Sequence, residues 1–265
     1  MNEQAPHSPD APEDEQALPL LAPCRQVPAA APFGWLAAGW RDLRAASGQS
    51  LGWGLVVLGL SWAVSLLALW LGNWIVLLSL LSGFVFVGPL LAIALYAISW
   101  QLELGRVPNF DLSFDAARKR LGDGMVFALV LIVIFLVWAR AGSMVHVFFP
   151  MESHPEFRQL ALFLLIGSAV GSIFALIAFA ASAFSLPMLM DRQVDTITAV
   201  ITSINAVLRN KRAMAVWLAL IILLTGIGFA TAFVGLVVLF PLLGHATWHA
   251  YRDVVDASAW PRQRA

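Results

Sequence analysis

Two histidines near the C-terminal end have the spacing of a ligand pair. His245 and His249 are four residues apart, so both rings would lie on one face of a helix. Such a pair can bind a metal ion or a haem iron, although structural zinc takes four protein ligands and catalytic zinc usually three. A polar helix face that forms hydrogen bonds to neighbouring helices explains the same spacing. Both interpretations are kept as hypotheses.

The motifs of common catalytic sites are missing from the sequence. It contains no phosphate-binding Gly-rich loop, no nucleophile elbow, no CxxC and no HExxH. Cys24 is the only cysteine, so an internal disulfide cannot form. We therefore predict that the protein is not an enzyme and that it holds no resident cofactor.

The composition is that of an integral membrane protein. Of the 265 residues, 60% are hydrophobic and only 12% are charged, and the mean hydropathy is +0.81. Soluble domains contain about 25% charged residues. The formal net charge is zero, which argues against nucleic acid as a partner because phosphate binding requires clustered Lys and Arg.

Six apolar runs are predicted to form transmembrane helices, since about 20 residues cross about 30 Å of hydrocarbon. Four of them cover residues 50–71, 74–100, 123–139 and 160–190. Residues 213–252 hold the other two, with a turn expected between Gly226 and Gly235, because one helix of that length would extend about 60 Å. Small residues in the fourth run permit close helix packing, so this run is the predicted centre of the bundle.

The six runs form three pairs with a common plan. Each pair follows a short amphipathic segment, in residues 33–47, 101–122 and 194–210. The second run of each pair contains a proline near its end, at Pro89, Pro187 and Pro241. We predict an all-α, polytopic bundle of three transmembrane hairpins, each preceded by an interfacial helix. A kink is expected near Phe86, in the turn before Pro89.

The basic residues predict the orientation of the chain. All but Arg140 and Arg158 of the 16 lysines and arginines fall on one side of the six spans, and these residues collect on the cytoplasmic side of membrane proteins. Both termini are therefore expected in the cytoplasm. The chain divides into a disordered Pro-rich tail (1–31), the six-helix domain (32–256) and a short cytoplasmic tail (257–265).

Two basic clusters are candidates for contact with anionic lipid headgroups, at about 1 kcal/mol per charge. They comprise Arg118, Lys119, Arg120, Arg209, Lys211 and Arg212. The bias of basic residues toward the cytoplasm accounts for the same clusters without lipid binding. No Asp, Glu, Lys or Arg falls well inside a predicted span, which argues against an ion-coupled transporter.

Three stretches carry a family resemblance. They are FGWLAAGWRDL from Phe33, GPLLA from Gly88 leading to Tyr96, Glu103, Gly105 and Pro108, and PLLGHATWHAYRD from Pro241. They resemble an uncharacterised family of bacterial integral membrane proteins that is catalogued as a domain of unknown function. The resemblance covers residues 33–256 and implies an inner-membrane location. Some members of that family are labelled as cytochrome c oxidase subunits.

We therefore expect a multi-pass protein of the bacterial inner membrane that acts as an accessory, scaffolding or assembly component, with a respiratory complex as one host. Its expected partners are membrane lipids, a membrane protein or a second copy of itself. One alternative is a passive conduit for a small neutral solute or lipid. It requires a cavity lined by Ser61, Ser65, Ser79, Ser82, Ser168, Ser172 and Thr225. Another is a haem or metal protein that uses His245 and His249.

Overall fold

The computed structural model describes residues 19–70, 88, 91–109, 121–148 and 157–263. Within these residues the chain is helical, and its only β pairing consists of two isolated bridges. The helices are α1 (Ala31–Ala45), α2 (Ser47–Trp70), α3 (Ile93–Glu103), α4 (Leu121–Phe148), α5 (Phe157–Ser182), α6 (Ser185–Asp191), α7 (Thr196–Arg209), α8 (Lys211–Ala230) and α9 (Leu236–Val254). The predicted all-α class is confirmed.

Among the described residues, three stretches are long and apolar enough to cross a membrane. They are Ser47–Trp70, Leu165–Asp191 and Lys211–Ala230, with mean hydropathies of 1.9, 2.1 and 2.4. They correspond to the first, fourth and fifth predicted spans. The third predicted span, residues 123–139, lies within α4, which begins at Leu121 and continues to Phe148, beyond the predicted end of the span. The six-span arrangement stays a prediction. Most of the second span, with Pro89, and residues 110–120 of the second amphipathic segment lie outside the described residues.

The last two apolar runs form a helical hairpin. α8 ends at Ala230 and α9 begins at Leu236, so the turn between them falls in the window predicted for it. Trp62 of α2 donates its indole N–H to the carbonyl of Ala232 in this turn at 2.9 Å. The second half of α2 is thereby tied to the turn, and α2 and α8 run in the same direction.

Both ends of the described chain meet at one end of the bundle. Cys24 and Val255 form an antiparallel bridge, and the Arg25 N–H donates to the Val254 carbonyl at 2.8 Å. We call this end of the bundle the polar end. It contains the terminal segments, α1, α7, the beginnings of α2 and α8, and the ends of α3, α6 and α9.

The N-terminal segment is held there by side chains of α7 and of the residue that follows it. The Thr202 hydroxyl accepts a hydrogen bond from the Ala22 N–H at 3.0 Å. The Asn210 carboxamide accepts from the Val27 N–H at 2.9 Å and donates to the Arg25 carbonyl at 3.0 Å. Part of the tail predicted to be disordered over residues 1–31 is therefore docked, from Ala22 onward. An extended Pro-rich chain leaves its backbone groups free for such side chains.

The C-terminal residues, predicted as a tail over 257–265, are docked in a similar way. The Gln193 N–H donates to the Pro261 carbonyl and the Gln263 N–H donates to the Asp191 carbonyl, each at 2.9 Å. Gln263 also donates its side-chain N–H to the Arg192 carbonyl at 2.7 Å. Residues 192–193, which connect α6 to α7, thus bind the end of the chain.

α9 occupies the central position among the described helices. It contacts α1, α2, α3, α6 and α8, whereas α5, from the fourth predicted span, contacts α4, α6 and α7. The prediction that the fourth span is the centre of the bundle stays a prediction, because this span also includes α6, which contacts α3, α7 and α9. Ser168 and Ser172, two of its small residues, are exposed.

Glycines on α1 and α2 let these helices touch the backbone of α9. Pro241 has no N–H to donate to the Val237 carbonyl, and this carbonyl lies against Gly54, where a Cβ would overlap it. A Cβ on Gly39 would lie 2.6 Å from the backbone nitrogen of Ala246. Small residues permit such close helix packing in membrane proteins.

A helix break lies one turn before a second proline, Pro187, and α7 supplies hydrogen bonds to the backbone groups left free there. α5 and α6 are interrupted at Ala183 and Phe184, one turn before Pro187. The Ser203 hydroxyl accepts from the Phe184 N–H at 3.0 Å and donates to the Ala180 carbonyl at 2.7 Å. These two backbone groups would bond directly in an unbroken helix. The hydroxyl therefore bridges the interruption and leaves both groups satisfied.

The third amphipathic segment forms α7 as predicted, with Asp195 as its N-cap. The Asp195 carboxylate accepts from the Thr198 N–H at 2.9 Å. The face of α7 that carries hydroxyl groups packs inward, and Thr202 and Ser203 are fully buried. Ile197, on the opposite face, is 69% exposed. A helix on a soluble core would bury the opposite face.

Replacing Gly54 by alanine is expected to destabilise the protein by roughly 1–3 kcal/mol or more, because the new methyl group would overlap the Val237 backbone. Gly59 lies on the same helix with no atom within 4 Å of a built Cβ. Gly59→Ala is therefore the matched control, with a change within about 1 kcal/mol. Thermal unfolding of both variants in detergent measures the difference. Equal unfolding temperatures would contradict the close contact.

Candidate functional site

The buried polar side chains of the polar end form two clusters around α9. One surrounds His245 and the other surrounds Asp191. Both are built from residues far apart in sequence, which the helix ends bring together.

The first cluster, the His245 network, consists of Ser50, Ser99, Asp42, His245 and His249. His245 is 0% exposed, with Nε2 at 2.9 Å from the Ser50 hydroxyl and Nδ1 at 2.8 Å from the Ser99 hydroxyl. Ser99 donates to the Asp42 carboxylate at 2.7 Å. His249 Nε2 lies 2.8 Å from the same carboxylate oxygen. Four helices, α1, α2, α3 and α9, thus share one network.

The direction of each hydrogen bond follows from the donors available. A carboxylate only accepts, so Ser99 gives its single proton to Asp42. Ser99 can then only accept from His245, which must carry its proton on Nδ1. The Nε2 atom of His245 accepts from Ser50. Every polar atom of the buried imidazole is satisfied in this way, as burial of a polar group requires.

Asp42 is the charged member of the network. Burial disfavours its ionised form, but hydrogen bonds from His249 and Ser99 outweigh that penalty and lower the pKa of the carboxyl. Its Oδ2 atom accepts from two side chains on two different helices. The ionised carboxylate therefore stabilises the contact of α1 with α3 and α9.

The second cluster, the Asp191 cluster, joins the ends of α3, α6 and α9. Asp191 is 1% exposed, and its Oδ2 accepts from the Tyr251 hydroxyl at 2.8 Å, Arg192 Nε at 2.9 Å and Arg252 Nη1 at 3.2 Å. Arg252 also donates to Glu103 at 2.8 Å. A carboxylate this deeply buried needs such charge-assisted hydrogen bonds to offset the loss of its hydration.

The two histidines singled out in the sequence thus have specific partners. His245 uses both ring nitrogens on serines, and His249 contacts Asp42. No group of three or more His, Cys, Asp or Glu that could hold a metal occurs among the described residues. A metal at His245 would have to displace a serine hydroxyl. Metal binding stays a prediction, while hydrogen bonds to neighbouring helices, the other interpretation, are present.

Sequence reasoning missed Asp42, Ser50 and Ser99 as partners of the histidine pair. Asp42 lies in an amphipathic segment where acidic residues usually face water. The two serines resemble the many others in apolar runs. The one available signal was that two histidines and Thr247 make the end of the last run too polar to face lipid.

The structure describes one of the two predicted basic clusters. Arg118, Lys119 and Arg120 lie outside the described residues. The second cluster, formed by Arg209, Lys211 and Arg212, is exposed where α7 meets α8.

Two of the serines predicted to line a solute conduit form hydrogen bonds within their own helices. The Ser61 hydroxyl donates to the Val57 carbonyl of its own helix at 2.7 Å. Ser172 is exposed and donates to the Ser168 carbonyl, also at 2.7 Å. Ser79 and Ser82 lie outside the described residues.

Comparison with known proteins finds one family model that is similar to part of the chain. Residues 76–191 match the model of a family described as a predicted integral membrane protein, DUF2189. No curated protein and no solved structure matches the chain. The expected resemblance to an uncharacterised membrane protein family is thereby confirmed. The protein is an integral membrane protein of unknown function, and the matched segment includes Ser99, Glu103 and Asp191.

Asp42→Asn is expected to lower stability at pH 7 by roughly 1–3 kcal/mol, because a buried acceptor of two hydrogen bonds loses its charge. The pKa of Asp42 lies below its ordinary value of 3.8 in the folded protein. Its contribution is therefore complete above about pH 4 and is lost as the pH falls through the lowered pKa. Unfolding temperatures of wild type and variant should converge at low pH.

Asp256→Asn is the control for this experiment. Asp256 accepts from the N–H of Ser258, two residues away, and joins no helices. Its removal should leave the unfolding temperature at pH 7 nearly unchanged. If Asp42→Asn unfolds at the wild-type temperature at pH 7, the His245 network does not stabilise the bundle.

Proposed function

We propose that the protein is a non-enzymatic accessory or scaffolding component of the bacterial inner membrane, with six transmembrane helices and both termini in the cytoplasm. The observation that carries this proposal is the polar end. The histidine, serine, tyrosine, arginine and carboxylate side chains of this end form hydrogen bonds with one another across helices, and both terminal segments are docked among them. Such an arrangement favours a rigid, structural role.

The directions of the helices support an even number of membrane crossings. α2 begins at the polar end with Ser50 on His245, and α8 begins there beside Asn210, which binds the N-terminal segment. α6 and α9 end there with Asp191 and Tyr251 in contact. The N-terminal and C-terminal segments pair at this same end. Together with the excess of Lys and Arg on this side, this supports a cytoplasmic polar end.

The burial of the His245 network supports a role without catalysis. Ser50, His245 and Asp42 are residue types that serve as nucleophile, base and orienting acid in hydrolases. Here Ser50 and His245 are each 0% exposed, and Ser99 stands between the histidine and the carboxylate. Burial of the serine hydroxyl favours a role of these side chains as structural hydrogen-bond partners.

A scaffold needs a surface for its partner, and α2 and α8 offer apolar ones. Leu66 and Trp70 of α2 are 64% and 82% exposed, and Ile222 of α8 is 63% exposed. These faces meet lipid in the isolated protein and are available to another membrane protein or to a second copy of this chain. The family resemblance points to a respiratory complex as the host.

Purification of the full chain from native membranes tests this proposal. A C-terminal tag and a mild detergent should recover a complex of fixed stoichiometry, heavier than the 28.8 kDa chain. The matched control is the same tag on an unrelated inner-membrane protein at equal expression. A solitary monomer that carries a neutral solute across liposome membranes would contradict the scaffolding role and restore the conduit.

A further inference from the structure

The junction of α7 and α8 combines an exposed apolar helix face with a basic groove. Ile197 and Leu208 of α7 are 69% and 57% exposed, and Ile204 is 36% exposed. The opposite face of α7 is buried through Thr202 and Ser203, whose hydroxyls bond the N-terminal segment and the break before α6. The apolar face of α7 therefore points away from the protein, because the polar face already forms hydrogen bonds with other segments of the chain.

The groove lies between the N-terminal segment and the start of α8 and has a volume of about 410 Å³. Its lining includes Gln26, Leu208, Arg209, Lys211 and Arg212. The three basic side chains are exposed. None of them forms an ion pair with a carboxylate in the part of the chain that the structure describes. Three neighbouring cations without a protein counterion favour an anionic ligand.

We propose that this junction binds the headgroup phosphate of an anionic phospholipid, with the apolar face of α7 at the boundary of the acyl chains. Arg209, Lys211 and Arg212 contact the phosphate. Leu208, which lines the groove and is exposed, connects the phosphate site to the apolar face.

A lipid fits this junction better than a soluble phosphate compound does, because the ligand must satisfy two surfaces at once. The three cations favour contact with a negatively charged group. The exposed side chains of Ile197, Ile204 and Leu208 favour contact with an apolar group. α8 continues from the same point as one of the three stretches apolar enough to cross a membrane. An amphipathic helix with basic residues at its edge is typical of the headgroup layer of an anionic leaflet.

The test uses the full chain purified in a neutral detergent and titrated with phosphatidylglycerol, phosphatidylcholine or inorganic phosphate. Native mass spectrometry counts bound lipid. The groove variant carries Arg209→Gln, Lys211→Gln and Arg212→Gln. The matched control carries Arg41→Gln, Arg44→Gln and Arg106→Gln, which remove three exposed cations outside the groove.

Wild type should bind phosphatidylglycerol in preference to phosphatidylcholine. The affinity should fall about a hundredfold in the groove variant and less than about fivefold in the control, since each cation near a membrane surface contributes about fivefold. Lys211→Gln alone should cost about fivefold and serves if the triple variant does not fold. Unfolding temperatures without lipid verify that each variant is folded.

Three results would overturn the proposal. They are equal affinity of the wild type for both lipids, equal loss in both triple variants, and full displacement of phosphatidylglycerol by millimolar inorganic phosphate. The last would identify a soluble phosphate compound as the ligand. The inference does not depend on the scaffolding role, because lipid selectivity is measured without any protein partner.

Discussion

A buried, fully hydrogen-bonded histidine on the last helix is the constraint on which the rest of the structure depends. The second half of α9 carries His245, His249, Tyr251 and Arg252, which cannot be left against lipid without large cost. The chain resolves this by surrounding that half-helix with α1, α2, α3 and α6. Each neighbour supplies a polar partner. Removing one would leave another buried group unsatisfied, at about 1–3 kcal/mol.

Backbone hydrogen bonding imposes the second constraint, since helices in hydrocarbon must satisfy their own polar groups. Pro187 and Pro241 each leave a carbonyl without its helical donor. Near Pro187, Ser203 of α7 bridges the broken turn through two hydrogen bonds. At Pro241, the freed Val237 carbonyl lies against Gly54, where the missing side chain gives it room. The prolines therefore mark places where a neighbouring element must fit closely.

The helices themselves followed from the sequence, whereas their assembly did not. Apolar length placed α2 and α8, the Asp195 cap placed α7, and the excess length of residues 213–252 placed the last turn. The close contacts with α9 did not follow from the small residues of the fourth run, because they depend on single glycines, Gly39 and Gly54, on other helices. The docked N-terminal segment was missed since its partners, Thr202 and Asn210, lie about 180 positions away. The His245 network was missed for the same reason, because its members lie close together in the fold but far apart in the sequence.

The most direct test of this account is nitrogen NMR of the full chain labelled with ¹⁵N-histidine. The hydrogen bonds require that His245 carry its single proton on Nδ1, facing Ser99, with Nε2 accepting from Ser50. The ¹⁵N shifts should report that tautomer at neutral pH, with slow exchange of the proton with water. Ser99→Ala should abolish both signatures. A His245 proton on Nε2, or a ring that exchanges rapidly with solvent, would contradict the network at the centre of the fold.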